Sequence, residues 1–167
     1  EKMADVLLAS QTSSFRYNGF NQLSSFEDPN GILTQYAYNG MGLRASKETG
    51  DDMTRYYYDN GNIILETDAD NLVKAKNVRG LKLISRETGE EPFYYLHNAH
   101  GDVTKLTDSF GKVIEDYTYD PYGNEKVPAI NNYGGNISDL MWQQEVEGID
   151  NPFRYCGEYL DDETGNY

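Results

Sequence analysis

Tyr36-Ala37-Tyr38-Asn39-Gly40-Met41-Gly42 and, twenty residues on, Tyr56-Tyr57-Tyr58-Asp59-Asn60-Gly61-Asn62 share one plan: aromatic, any residue, aromatic, Asn or Asp, then glycine within three positions. The opening of that plan recurs at Phe15-Arg16-Tyr17-Asn18, Tyr95-Leu96-His97-Asn98 and Tyr117-Thr118-Tyr119-Asp120, and a degenerate copy is read at Lys74-Ala75-Lys76-Asn77 with Gly80 behind it. Anchors at 17, 38, 58, 76, 97 and 119 lie 21, 20, 18, 21 and 22 residues apart. A period of about 20 residues marks a repeat architecture.

Each unit reads as strand, turn, strand, turn. Alternating or apolar runs such as Ile63-Ile64-Leu65, Leu81-Lys82-Leu83-Ile84 and Val103-Thr104-Lys105-Leu106 predict the second strands. Turns follow the anchors at Asn39–Gly42, Asp59–Asn62, Asn98–Gly101 and Asp120-Pro121-Tyr122-Gly123. There Gly42, Gly61, Gly101 and Gly123 supply left-handed backbone, and Asp120 with Pro121 supplies turn chemistry. The expected fold is all-β, an antiparallel array of β-hairpins forming an open curved sheet. Side chains alternate along a strand, so the two rings of Tyr-x-Tyr share a face. Phe15, Tyr17, Tyr36, Tyr38, Tyr56, Tyr58, Tyr95, Tyr117 and Tyr119, rejoined later by Phe153 and Tyr155, are expected to form a structural aromatic stripe.

The organisation read from this spacing is a lead-in over 1–14, the hairpin array over 15–124, an insertion over 125–150 and a further hairpin beginning at 151–167. Within the insertion, Ile137 to Val146 predicts a short helix capped by Ser138. The chain has 167 residues with 15 Tyr, 16 Gly and 1 Cys, and a net charge of −14. Such acidity argues against nucleic acid as a partner. A single cysteine excludes internal disulfides and a zinc site built on cysteines. No apolar run approaches the ~20 residues of a membrane-spanning helix. The ends read as cut, with any export signal outside the sequence.

The repeated Tyr-x-Tyr-Asp unit resembles the YD-repeat, or RHS-repeat, family. The tail sharpens the likeness: Tyr119-Asp120-Pro121-Tyr122-Gly123-Asn124, an insertion, then Asn151-Pro152-Phe153-Arg154-Tyr155-Cys156-Gly157-Glu158-Tyr159 through Gly165 is similar to the opening of the RHS-repeat-associated core region. The resemblance covers nearly everything from Phe15 onward. It implies a hollow β-shell that encloses a C-terminal toxin in an exported or surface-associated bacterial protein, or, as in animal teneurins, a shell used in adhesion. The partners it implies are the rest of the parent shell and the enclosed toxin. The family's later arginine- and tyrosine-rich stretch and its self-cleavage aspartates have no counterpart here, so no residue is assigned a catalytic role.

Beside that reading stand smaller ones. His97 and His100, three apart, are read as repeat and turn residues before metal ligands, and no cofactor is expected. Cys156 with either histidine makes a nucleophile and base only if the fold brings them together. Asp51-Asp52, Asp68-Ala69-Asp70 and Asp161-Asp162-Glu163 are read as solvated turns rather than calcium sites. The alternative function is adhesion or glycan binding through the aromatic face. Two unpaired strand edges predict edge-to-edge homo-oligomers of the isolated chain.

Overall fold

The computed structural model describes residues 12–89, 91–125 and 149–167. The helix read at Ile137 to Val146 and most of the lead-in lie outside them. Among the described residues there are eleven strands: β1 (Ser14–Tyr17), β2 (Leu23–Glu27), β3 (Leu33–Tyr38), β4 (Arg44–Thr49), β5 (Asp52–Asp59), β6 (Asn62–Thr67), β7 (Val73–Arg79), β8 (Leu83–Glu87), β9 (Pro92–His97), β10 (Val103–Thr107) and β11 (Val113–Asp116). Their order in the sheet is their order in sequence. The expected all-β array of antiparallel hairpins is the observed fold. Two compact units divide the chain, Glu1–Lys74 and Ala75–Tyr167.

One loop design recurs. Asn18, Asp28, Asn39, Asp68, Asn98, Asp108 and Asp120 each open a five-residue loop in which the first N–H donates to the fifth carbonyl and the fourth N–H donates to the first carbonyl. The side-chain Oδ1 of the opening residue accepts the N–H two and four positions on in six of them, for instance Asn39 from Met41 and Leu43, or Asp120 from Tyr122 and Asn124. Asn98 instead takes Gly101 and Asp102. A carboxylate or amide thus satisfies donors that the ladder leaves over. The fourth position is left-handed in all seven: Asn21, Gly31, Gly42, Asn71, Gly101, Gly111 and Gly123. Gly61 belongs to another design, the two-residue Asn60-Gly61 turn between the paired Asp59 and Asn62, with φ of 47° and 79° as a type I′ hairpin requires.

In four repeats the second slot falls at a register shift at or next to the end of its strand. Tyr17 pairs with Leu23, Tyr38 with Arg44, Tyr58 with Ile63 and His97 with Val103, each across such a shift. The same alignment puts Arg79, paired with Leu83, in this slot, and Asn77 in the first aromatic slot. The degenerate copy is therefore centred on Asn77 and Arg79 rather than on Lys74 and Lys76. The spacing alone misplaced it because the bulge-bearing hairpin, not the residue count, sets the frame.

Within the first unit, Tyr38 Oη donates to the Leu23 carbonyl at 2.9 Å and Tyr58 Oη to the Arg44 carbonyl at 2.8 Å. Each bond runs from one hairpin's tyrosine to the carbonyl facing the previous repeat's slot. Tyr119 does the same to Val103 at 2.8 Å in the second unit. The first ring of each pair lies deeper: Tyr36, Tyr56, Tyr95 and Tyr117 are buried, while Tyr38, Tyr58 and Tyr119 are half-buried. Phe15 and Tyr17, on the edge strand β1, are exposed, although Phe15 still meets the Phe26 ring at 4.9 Å.

Truncation should therefore grade by slot. Tyr56→Ala is expected to cost about 3 kcal/mol or more, as for a buried ring. Tyr58→Phe, which removes only the hydroxyl bond, is expected to cost about 1 kcal/mol. Urea denaturation of both variants checks this, and equal losses would contradict the slot assignment.

Candidate functional site

The second unit gathers its core on the aromatic face. Leu83, Phe93, Tyr95, Val103, Leu106 and Tyr117 are buried together with Phe153, which is only 2% exposed. Phe153 does not extend the array. It pairs with Tyr159 in an isolated bridge, and a 3-10 turn follows at Tyr155–Gly157. The segment from 149 onward lies across the sheet face, so Phe153 meets Tyr95 edge-on at 6.2 Å and Tyr159 at 5.4 Å. Tyr155 packs against Tyr119 of the stripe and against His100 and Tyr167.

Polar groups fix this segment in place. Arg86 is buried and donates through Nε and Nη2 to the carbonyl and carboxylate of Asp150, each at 3.0 Å, and through Nη1 to Asn77 Oδ1 at 3.2 Å. Asn151 Oδ1 accepts the Tyr95 hydroxyl at 2.7 Å, and its amide donates to the Phe153 carbonyl. Arg79 stacks over Phe153 at 5.0 Å, and Arg154 over Tyr117 at 4.3 Å. Arg79 and Arg86 were not singled out from the sequence, and Asn77 and Asn151 were read only as motif positions, without these contacts. In Leu83-Ile84-Ser85-Arg86, residues 83, 85 and 86 are all buried, which no strict two-residue alternation announces.

Where this segment meets the Asn98–Asp102 loop, three reactive groups converge. The His100 Nδ1 and Asp102 Oδ1 atoms are 2.8 Å apart, and Cys156 Sγ is 3.7 Å from the same nitrogen. Asp102 is buried; its Oδ2 accepts the Asn98 amide at 2.7 Å, and its Oδ1 accepts the Cys156 N–H at 2.9 Å. Burial alone would raise the Asp102 carboxyl, but these hydrogen bonds outweigh it and hold it below the ordinary value. Desolvation together with the Asp102 and Glu158 carboxylates pushes the Cys156 thiol up. A nucleophilic relay uses the two imidazole nitrogens on opposite partners. Here thiol and carboxylate face one nitrogen, and the thiol is poorly ionised. His100 and Asp102 also line a cleft of about 580 Å³ with Thr104, Tyr117, Tyr119 and Tyr155.

His97 stands apart from this group. It stacks on Tyr95 at 6.2 Å, and burial, with Lys82 and Arg79 nearby, lowers its basicity. Among the acidic clusters, Asp68 caps its loop, Asp52 pairs with Lys74 at 2.7 Å, and Asp161 is buried at the bridge to Asn166. The predicted turn residues Asp120 and Pro121 occupy the first two positions of their loop, and the Pro121 carbonyl accepts the Tyr155 hydroxyl at 3.1 Å.

Comparison with known proteins bears on this architecture. No family model matches the chain. It is 35% identical over 136 residues to the tRNA3(Ser)-specific nuclease WapA of Bacillus spizizenii and to the tRNA nuclease WapA of Bacillus subtilis, matching 79% of this chain. The crystal structure of TcdB2-TccC3-Cdc42 superposes on 92% of the chain with a TM-score of 0.59 at 20% identity. The likeness of this chain to RHS/YD-repeat proteins is borne out by these relatives. The Photorhabdus luminescens Tc holotoxin pore gives the same fold, with a TM-score of 0.56 over 90% of the chain at 18% identity. The chain spans 5% of the length of the WapA relatives and 8% of those structural neighbours.

Two outcomes follow from the contacts of this segment. A Cβ at Gly123, where φ is +89°, would lie 2.8 Å from the Tyr155 ring, whereas one at Gly31, φ +83°, meets nothing. Gly123→Ala is therefore expected to lower the denaturation midpoint more than Gly31→Ala does, since both carry the left-handed cost and only one carries the clash. His97 is less basic folded than unfolded, so the unfolded chain takes up the extra proton as pH falls below about 6.5. Stability should decline through that window, and His97→Gln should flatten the decline in thermal melts at stepped pH.

Proposed function

We propose that this chain is a non-catalytic wall segment of an RHS/YD-repeat β-shell, in an exported or surface-associated bacterial protein whose shell encloses or presents a C-terminal toxin. The observation that carries the reading is the repeated tyrosine hydroxyl bond, Tyr38 to Leu23, Tyr58 to Arg44 and Tyr119 to Val103, which joins hairpin to hairpin by one geometry. A unit that bonds to its predecessor in this way can be extended indefinitely, as a wall demands. The relatives' names support a toxin context, and the small share of their length that this chain spans suits a panel of something larger.

The glycan-binding alternative asks for rings available to stack on sugar. Tyr36, Tyr56, Tyr95 and Tyr117 are each 7% exposed or less, which favours packing over stacking. Among the described residues no helix is long and apolar enough to cross a membrane.

The test uses the full-length parent protein carrying this segment. In limited proteolysis, the domain C-terminal to the shell should be protected in the unmodified protein and cleaved when Tyr58 and Tyr119 are both replaced by Ala. Equal cleavage of that domain in both proteins would overturn the wall reading.

A further inference from the structure

We propose that His100, Asp102 and Cys156 bind a zinc ion that staples the 154–157 turn to the 98–102 loop. Their ligand atoms all lie within 4.8 Å of one another. Zinc holds nitrogen, oxygen and sulfur donors at about 2.0–2.3 Å in a tetrahedron, which places neighbouring donors about 3.3–3.7 Å apart. The Sγ to Nδ1 separation of 3.7 Å already meets that spacing. The Nδ1 to Oδ1 separation of 2.8 Å must open by under about 1 Å, and the His100 side chain, 58% exposed, has the room.

The frame around the donors is built without the metal. The Val103 N–H donates to the Arg154 carbonyl at 3.0 Å, and the Cys156 N–H to Asp102. Cys156 sits in the left-handed region at φ 54°, ψ 11°, a conformation that L residues with a side chain seldom adopt. Gly101 and Gly157 flank the crossing: a Cβ on Gly157 would come within 3.6 Å of the Gly101 carbonyl, and one on Gly101 within 3.8 Å of the Cys156 carbonyl. The Asn98 amide on Asp102 Oδ2 orients the carboxylate from outside, the arrangement that outer-shell partners give to metal ligands.

Donor type selects the ion. Calcium and magnesium take oxygen ligands, whereas one imidazole, one thiolate and one carboxylate suit zinc. On binding, the Cys156 thiol loses its proton to solvent and donates a sulfur lone pair. His100 keeps its proton on Nε2 and ligates through Nδ1, and Asp102 contributes Oδ1. Three protein donors leave the fourth position to water on the cleft side that His100 and Asp102 line. This explains why two groups share one imidazole nitrogen, an arrangement unsuited to a proton relay.

The experiment takes the whole chain, stripped with a chelator, and titrates zinc by calorimetry and cobalt by absorption. One zinc per chain is expected, with a sulfur-to-cobalt charge-transfer band in the near ultraviolet. Cys156→Ser should remove that band, and Cys156→Ser or His100→Ala should each weaken zinc binding at least about tenfold. His97→Gln should stay within about twofold of the unmodified chain, as a histidine outside the site. Zinc should raise the thermal midpoint of the unmodified chain but not of Cys156→Ser, whose far-ultraviolet circular dichroism is measured to show that it folds. Absence of stoichiometric binding, absence of the cobalt band, or a loss with His97→Gln as large as with His100→Ala would overturn the proposal.

Discussion

A tyrosine hydroxyl resting on a backbone carbonyl of the neighbouring strand is the constraint on which the array depends. Tyr38 and Tyr58 stand at register shifts at or next to the end of their strands, Tyr119 follows β11, and each donates to the carbonyl that opens the second strand of an earlier hairpin. At the shift the ladder loses its regular pairing. The phenol bridges that gap while its ring covers apolar surface. The first ring of the pair is then turned inward two residues earlier. From Tyr38 to Tyr58 the distance between one such bond and the next is one period of the sequence.

Loop chemistry keeps the period honest. An Asn or Asp at the loop opening accepts two loop N–H groups and leaves a left-handed residue three positions on, so strand ends are fixed without help from distant parts of the chain. This is why so many carboxylates in this acidic chain are engaged locally: Asp28, Asp68, Asp108 and Asp120 serve their own loops. Their number says little about metal or substrate. The carboxylate that stands out, Asp102, is the one at the end of a loop, where it also reaches across to Cys156.

In the second unit the repeat is imperfect, and the imperfection is put to use. Asn77 and Arg79 stand where other repeats carry rings; Arg79 meets the segment that follows Ile149 directly, and Asn77 holds Arg86, which meets it at Asp150. Arg86 gains Asp150 and Asn77 as partners, and Arg79 covers Phe153. A buried arginine is strongly disfavoured unless its donors are matched, so these three residues make sense only with that segment in place.

Sequence by itself indicated the all-β hairpin array and placed turns at Gly42, Gly61, Gly101 and Gly123, each at positive φ, while treating both rings of every aromatic pair alike. These follow from local rules: two-residue alternation, Asn or Asp at loop openings, and glycine at positive φ. The frame of the Asn77 and Arg79 repeat, the burial of Arg86, the turning of Phe153 and Tyr155 out of the array, and the meeting of His100, Asp102 and Cys156 were decided by tertiary structure. Apart from the Asn77 and Arg79 frame, which a bulge in its own hairpin sets, each depends on residues more than fifty positions apart, such as Arg86 with Asp150, Tyr95 with Phe153 or Asp102 with Cys156. No periodicity encodes such a distance, because it is set by how one segment packs over a sheet rather than by the path of either strand.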